Sequence, residues 1–181
     1  PQSDPAAPVL ILAAHPDLVV VWPLHPNPAV SEAVEPVIAA LPDAMRARVC
    51  LTAPVDYPAL ITLLERCYFT LTDSGGIQEE ASALARPVLI ARDSTERQEL
   101  VEAGGAVLVG TDITRMVTAA SELLRDGAVY RAMQLELSPF GDGNAARHIA
   151  DPDGGLPLEL ATVMLVSVHR GLPPRWAGRP A

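Results

Sequence analysis

The sequence predicts an α/β fold built on a doubly wound parallel sheet, and three observations carry that reading. Residues 18–22, 49–53, 68–72, 88–91 and 106–109 read as continuous apolar runs, the pattern of strands buried on both faces of a parallel sheet. Segments of helical periodicity stand between them. The connections are only a few residues long, as when each helix crosses over to return the chain to the same end of the sheet.

Residues 1–8 read as a loose N-terminal segment, and 9–14 as the last turns of a helix that starts upstream and ends at His15-Pro16-Asp17. The valine-rich first strand stops at Pro23, and the rigid loop His25-Pro26-Asn27-Pro28 follows. Ser31 can cap a helix running to about Leu41. After the second strand, residues 57–66 form a helix with Leu60, Leu63 and Leu64 on one face. The third strand leads through a glycine turn into a helix over 77–85, which Arg86-Pro87 ends. Beyond the fourth strand, the polar loop from Arg92 to Arg97 precedes a short helix closed by Gly104-Gly105. Thr111 or Asp112 caps a helix over 113–125, with Met116, Ala119, Ala120, Leu123 and Leu124 at helical spacing. Gly127 ends it, residues 129–137 give another helix, and 144–150 a last short one. From Asp151 the pattern fades: 156–168 is apolar enough for a short helix or strand, and 171–181 is glycine, proline and arginine without periodicity. The division is therefore a loose segment at 1–8, a domain at 9–150 and a tail at 151–181.

Composition excludes several classes. Apolar residues at 49% against 19% charged describe a globular chain, and 181 residues suffice for a real core. A net charge of −9 repels a phosphate backbone, so nucleic acid is not the expected partner. Cys50 and Cys67 lack metal-ligand spacing and read as buried, reduced thiols of a cytoplasmic protein. No stretch reaches the roughly 18 apolar residues that span a bilayer, and no signal-peptide pattern is seen, so a soluble protein is expected. A start at Pro1 rather than methionine reads as a fragment or a processed product.

One stretch carries the functional signal: Thr72-Asp73-Ser74-Gly75-Gly76-Ile77-Gln78-Glu79-Glu80. A strand, a tight glycine turn and a helix in that order bring free N–H groups and the positive end of a helix dipole to one place, a seat for phosphate. Glu80, one turn past Gly76, is an acceptor-only carboxylate suited to the paired hydroxyls of a ribose. In a doubly wound sheet ligands bind beyond the carboxyl ends of the strands, and His25, Ser74, Gly75, Gly76, Arg92 and Arg97 all lie in loops leaving those ends. Each has an ordinary alternative. Ser74 can simply cap a helix, Glu80 be a solvated charge, Arg97 pair with Glu96 or Glu99, His25 be a loop histidine, and Asp142-Gly143 a turn. His148 and His169 have no supporting context.

Taken together, His25-Pro26-Asn27-Pro28, Asp73 to Glu80, Arg92-Asp93-Ser94-Thr95-Glu96-Arg97, Val109-Gly110-Thr111-Asp112 and Pro139-Phe140-Gly141-Asp142-Gly143 resemble the non-hydrolysing UDP-N-acetylglucosamine 2-epimerases. The motifs stand in family order over about residues 9–150 and match the family's C-terminal half. The resemblance implies a Rossmann-like domain, half of a GT-B arrangement, that takes UDP or a UDP-N-acetylhexosamine with neither metal nor other cofactor. It implies that Ser74, Gly75 and Gly76 hold the diphosphate, Arg97 adds positive charge, Glu80 binds the ribose and His25 faces the sugar and phosphate. Leu60 departs from the family, which often places an aromatic residue there beside the uracil. No catalytic residue of this chain is implied. The proton-transfer groups of the family lie in the N-terminal domain and just upstream of Pro1, so the implied partners are that domain or a second copy in a dimer. A non-catalytic UDP-sugar-binding module and half of a GT-B glycosyltransferase are the rival readings, since one fold hosts several chemistries.

Overall fold

The computed structural model describes residues 5–141 and the backbone of 163–168. The chain runs α1 (Ala6–Ala14), β1 (Leu18–Pro23), α2 (Pro28–Ala39), α3 (Asp43–Arg46), β2 (Val49–Thr52), α4 (Tyr57–Arg66), β3 (Phe69–Thr72), α5 (Gly75–Ala83), β4 (Val88–Ile90), α6 (Gln98–Glu102), β5 (Ala106–Leu108), α7 (Ile113–Arg125), α8 (Gly127–Ala132) and β6 (Val163–Val168).

The strands form one sheet in the order β2-β1-β6-β3-β4-β5. Pairings among β1 to β5 are parallel, with Val20 opposite Val49, Thr70 opposite Val88 and Leu89 opposite Val107. Short crossover helices require this arrangement. The exception is β6, antiparallel to both β1 and β3, with Val20 opposite Val166 and Leu71 opposite Met164. It comes from the apolar stretch that the sequence left open between helix and strand, and apolar content alone carries no strand direction.

Alternation along the strands divides the core between the two faces. Phe69, Leu71 and Leu89 join Ile11 and Leu12 of α1 with Met116 and Leu123 of α7, while Val88 and Ile90 join Leu64 of α4, Ala81 of α5 and Leu100 of α6. Helices on both faces make this a Rossmann-like, doubly wound α/β domain. Arg48 ties the α1–β1 corner, one Nη1 donating to the carbonyls of Leu12, His15 and Leu18 at 2.9–3.1 Å. That places a cation at the negative end of α1.

Element ends depart from the sequence reading where a cap decides them. Residues 6–8, expected to be loose, already belong to α1. Asn27, not Ser31, caps α2 by accepting from the Ala29 N–H; Ser31 lies inside the helix and bonds back to Pro28 O. Asp112 rather than Thr111 caps α7. Asp126 caps α8, so Gly127 begins that helix instead of closing α7, and the helix ends by Ala132, short of the 137 expected. The four-residue α3 was not foreseen, and the helix expected at 144–150 lies outside the described residues. Cys50 is half-buried rather than buried, and both cysteines are free. No helix among the described residues is long and apolar enough to cross a membrane.

Candidate functional site

Because β1 to β5 are parallel, the loops after β1, β2, β3, β4 and β5 all emerge at one edge of the sheet. The β3 loop is the centre. Ser74 occupies the N-cap position of α5 and is buried, yet its side chain makes no capping bond; its backbone N–H donates to Thr72 Oγ1 at 3.0 Å. The ordinary reading of Ser74 as a side-chain cap is therefore not what the structure adopts. The first-turn N–H groups of a helix have no acceptor within it, and the earliest backbone bond back to this cap comes from Gln78 to Ser74 O at 3.3 Å.

The two glycines serve different ends. A Cβ on Gly75 would stand 3.3 Å from Arg97 Cζ, tighter than ordinary contact, so the missing side chain is the space in which the guanidinium lies. Among the described residues, a Cβ on Gly76 would meet nothing within 4 Å, and Gly76 is exposed. Open space therefore faces the helix start at Gly76, while a cation flanks it at Gly75.

Arg97 pairs with neither Glu96 nor Glu99, the surface partners considered above. Its Nε donates to Glu79 Oε1 at 2.6 Å. Glu96 instead takes both Nη atoms of Arg92, at 3.0 and 3.1 Å. The backbone N–H at Glu96 and this guanidinium hold its carboxyl below the usual range. Arg92 thus lies at the right edge but is spent on its own loop.

Glu80 is not a freely solvated charge. Its Oε1 accepts from the Tyr57 hydroxyl at 2.8 Å, and that bond, with smaller contributions from burial and the negative charge, raises the phenol above its ordinary pKa. Tyr57 opens α4, where Asp56 caps the helix, and its ring is exposed beside the carboxylate. Leu60, one turn on, packs against the α4–α5 side of the core.

His25 Nδ1 accepts from the Asn27 N–H at 3.1 Å. In the neutral ring this leaves the proton on Nε2. Arg92, and His25 when its ring is protonated, lie near enough to Asp73 for their charges to act on its carboxyl. Asp73 is pushed above the usual carboxylate range, chiefly by burial, with a backbone hydrogen bond and those cations pulling the other way, and its buried Oδ1 has no hydrogen-bond partner among the described residues.

A raised folded-state pKa means that the fold favours the protonated acid, an advantage lost as pH rises through that pKa. Asp73→Asn is therefore expected to be more stable than the wild type at pH 7, with the gap closing as pH falls from the raised pKa to the ordinary aspartate value. Urea unfolding at pH 7 and pH 3 measures it; lower stability of the variant at pH 7 would mean that a partner holds the charged carboxylate.

The structure thus brings Ser74, Gly75, Gly76, Glu80 and Arg97 around the start of α5, with His25 near Asp73 at the same edge. Asp112 is occupied as the α7 cap, and Asp142 and Gly143 lie outside the described residues. A cavity of about 320 Å³ lies behind the Arg97 loop, but Asp93 and Glu102 in its lining suit it poorly to phosphate. Sequence reasoning missed Tyr57, Gln78, Glu79 and Thr95, which orient the others. The adjacent Asp56-Tyr57 pair at a helix start was the available sign for Tyr57; the other three act through pairings that only the fold creates.

Residues 7–152 match the family described as UDP-N-acetylglucosamine 2-epimerase. The UDP-N-acetylglucosamine 2-epimerase of Yersinia pestis is 43% identical over 139 residues, covering 77% of this chain and 36% of that relative. Among solved structures, the Neisseria meningitidis UDP-GlcNAc 2-epimerase bound to UDP-GlcNAc aligns with a TM-score of 0.75 and 33% identity, over 81% of this chain and 38% of its own. Staphylococcus aureus MnaA with UDP aligns at 0.72 and 35%, over 82% and 40%. The chain therefore spans between a third and two fifths of the length of these relatives.

Proposed function

The chain belongs to the UDP-N-acetylglucosamine 2-epimerase family, and from that premise we propose that it is the UDP-binding part of such an enzyme, taking UDP or a UDP-N-acetylhexosamine at the start of α5. One observation carries the proposal: the Arg97 guanidinium lies against Gly75 at the mouth of a helix whose cap side chain is unspent. A diphosphate seated there meets oriented N–H dipoles and a fixed cation together, the two elements of strong anion binding. One turn along, Tyr57 fixes the Glu80 carboxylate for the ribose, and the exposed Tyr57 ring offers an apolar face that the half-buried Leu60 does not.

In the reaction proposed, UDP leaves C1 of the sugar as the C2 proton is removed, giving a 2-acetamidoglucal and free UDP. Re-addition of UDP at C1, with a proton returned to the other face of C2, gives the epimer. Chain residues at the seat hold the departing diphosphate, which carries the charge that develops as the C1–O bond breaks. Moving the C2 proton needs a free acid and base reached by the sugar, but Glu79 and Glu80 are held by Arg97 and Tyr57, and the Asp73 Oδ1 is shut away from the surface. We assign proton transfer to the remainder of the protein, a further domain or a second copy. The same engaged carboxylates favour, as the second reading, a module that binds UDP without catalysis. The free cysteines fit a cytoplasmic setting.

Calorimetry with UDP tests binding, and mixing with a separately expressed N-terminal domain of a relative, followed by NMR of the UDP-sugar, tests chemistry. UDP heat without epimer from an assembled pair would favour the binding module. No UDP heat would remove both readings.

A further inference from the structure

Consecutive residues of α5 grip the Arg97 loop at two points. Gln78 is fully buried, and its Oε1 accepts from Thr95 Oγ1 at 2.7 Å; that same hydroxyl accepts from the Arg97 backbone N–H at 3.1 Å. Thr95 is itself only 6% exposed. Glu79, the next residue along, holds the Arg97 side chain through Nε. Main chain and guanidinium are thus fixed to the helix whose start forms the phosphate seat.

The chemistry of Gln78 shows that this grip is not incidental packing. Its Nε2 is buried without a hydrogen-bond partner among the described residues. An unsatisfied buried amide is costly, and a leucine or methionine would fill similar space without that cost. What the glutamine supplies in return is the one bond from Oε1 to Thr95. That hydroxyl both donates to the amide and accepts from the Arg97 N–H, so it acts as a rivet between helix and loop.

We propose that Gln78 and Thr95 are a positioning pair that sets Arg97 against the seat, so that the diphosphate of a nucleotide is met by a cation already in place. This rests on the reading of the seat as a UDP site. Neither residue touches the nucleotide; both act through Arg97. Preorganisation of this kind raises affinity because ordering the arginine is not charged against binding.

The test is UDP calorimetry on the full chain carrying Thr95→Val, Thr95→Ser, Gln78→Met, Arg97→Ala and the Thr95→Val/Arg97→Ala pair. Thr95→Val and Gln78→Met are each expected to weaken UDP binding by about 3- to 10-fold, the worth of one hydrogen bond. Thr95→Ser, which keeps the hydroxyl, restores wild-type affinity. In the Arg97→Ala background Thr95→Val has no further effect, because the residue through which it acts is gone. A merely structural role would lower affinity equally in both backgrounds. Wild-type affinity in Thr95→Val and Gln78→Met beside a weakened Arg97→Ala overturns the positioning pair and leaves the UDP site standing. Unchanged affinity in Arg97→Ala, or no UDP binding by the wild type, overturns the site reading itself.

Discussion

Replacing Arg97 with alanine will weaken UDP binding by about 10- to 100-fold, since a hydrogen bond between charged groups contributes about 1.5–3 kcal/mol and each 1.4 kcal/mol is tenfold. Two effects act in the same direction. The guanidinium that lies against Gly75 is removed, and the Glu79 carboxylate it neutralised is left facing an anion. Folding will hardly notice, because the pair is partly solvated, its side chains being 32% and 42% exposed, and such pairs contribute about 0–1 kcal/mol. Arg97→Lys returns a point charge without the planar fork, so it recovers only part of the affinity. Calorimetry beside a urea midpoint separates the two readouts. Were the alanine variant to bind UDP as the wild type does, the diphosphate would have to sit elsewhere.

Why the seat was legible while its supports were not follows from the range of the signals involved. A strand, a Gly-Gly turn and a helix are local, and Ser74, Gly75, Gly76 and Glu80 follow one another along a single stretch of chain. The alternation of β1 to β5 with helices was equally readable, because each apolar run and the helix after it are declared locally. Gln78 to Thr95, Glu79 to Arg97 and Tyr57 to Glu80 pair residues 17 to 23 positions apart, on different elements at one sheet edge. Nothing local distinguishes Glu79 from Glu96 or Glu99 as the partner of Arg97. The choice is made by where β4 delivers its loop beside α5. The difference between Gly75 and Gly76 is hidden from the sequence for the same reason: what fills the space of an absent Cβ is a tertiary fact. The antiparallel β6 lies at the far end of this scale, a strand joined to the sheet from the distant 151–181 segment, whose apolar content carries no sign of direction.

Phe69→Ala will cost about 3–5 kcal/mol of stability, the range for truncating a large buried aromatic. Phe69 is 0% exposed at the start of β3, in the core cluster that holds Ile11, Leu12 and Met116. Domains of this size have only about 5–15 kcal/mol in all, so much of the native margin goes. The seat should be spared. Thr72 lies three steps along the strand from Phe69, about 10 Å at the usual rise, far enough for the two sites to act independently. A ligand that binds only the folded chain stabilises it by an amount set by its concentration relative to its Kd, about 2.7 kcal/mol at 100 times Kd. UDP at a fixed concentration should therefore add the same increment to the wild type and to Phe69→Ala, although the two start from very different midpoints, and a much smaller one to Arg97→Ala. Urea unfolding of the three proteins with and without UDP reads this directly. A smaller increment in Phe69→Ala than in the wild type would show that β3 transmits the state of the core to the phosphate seat.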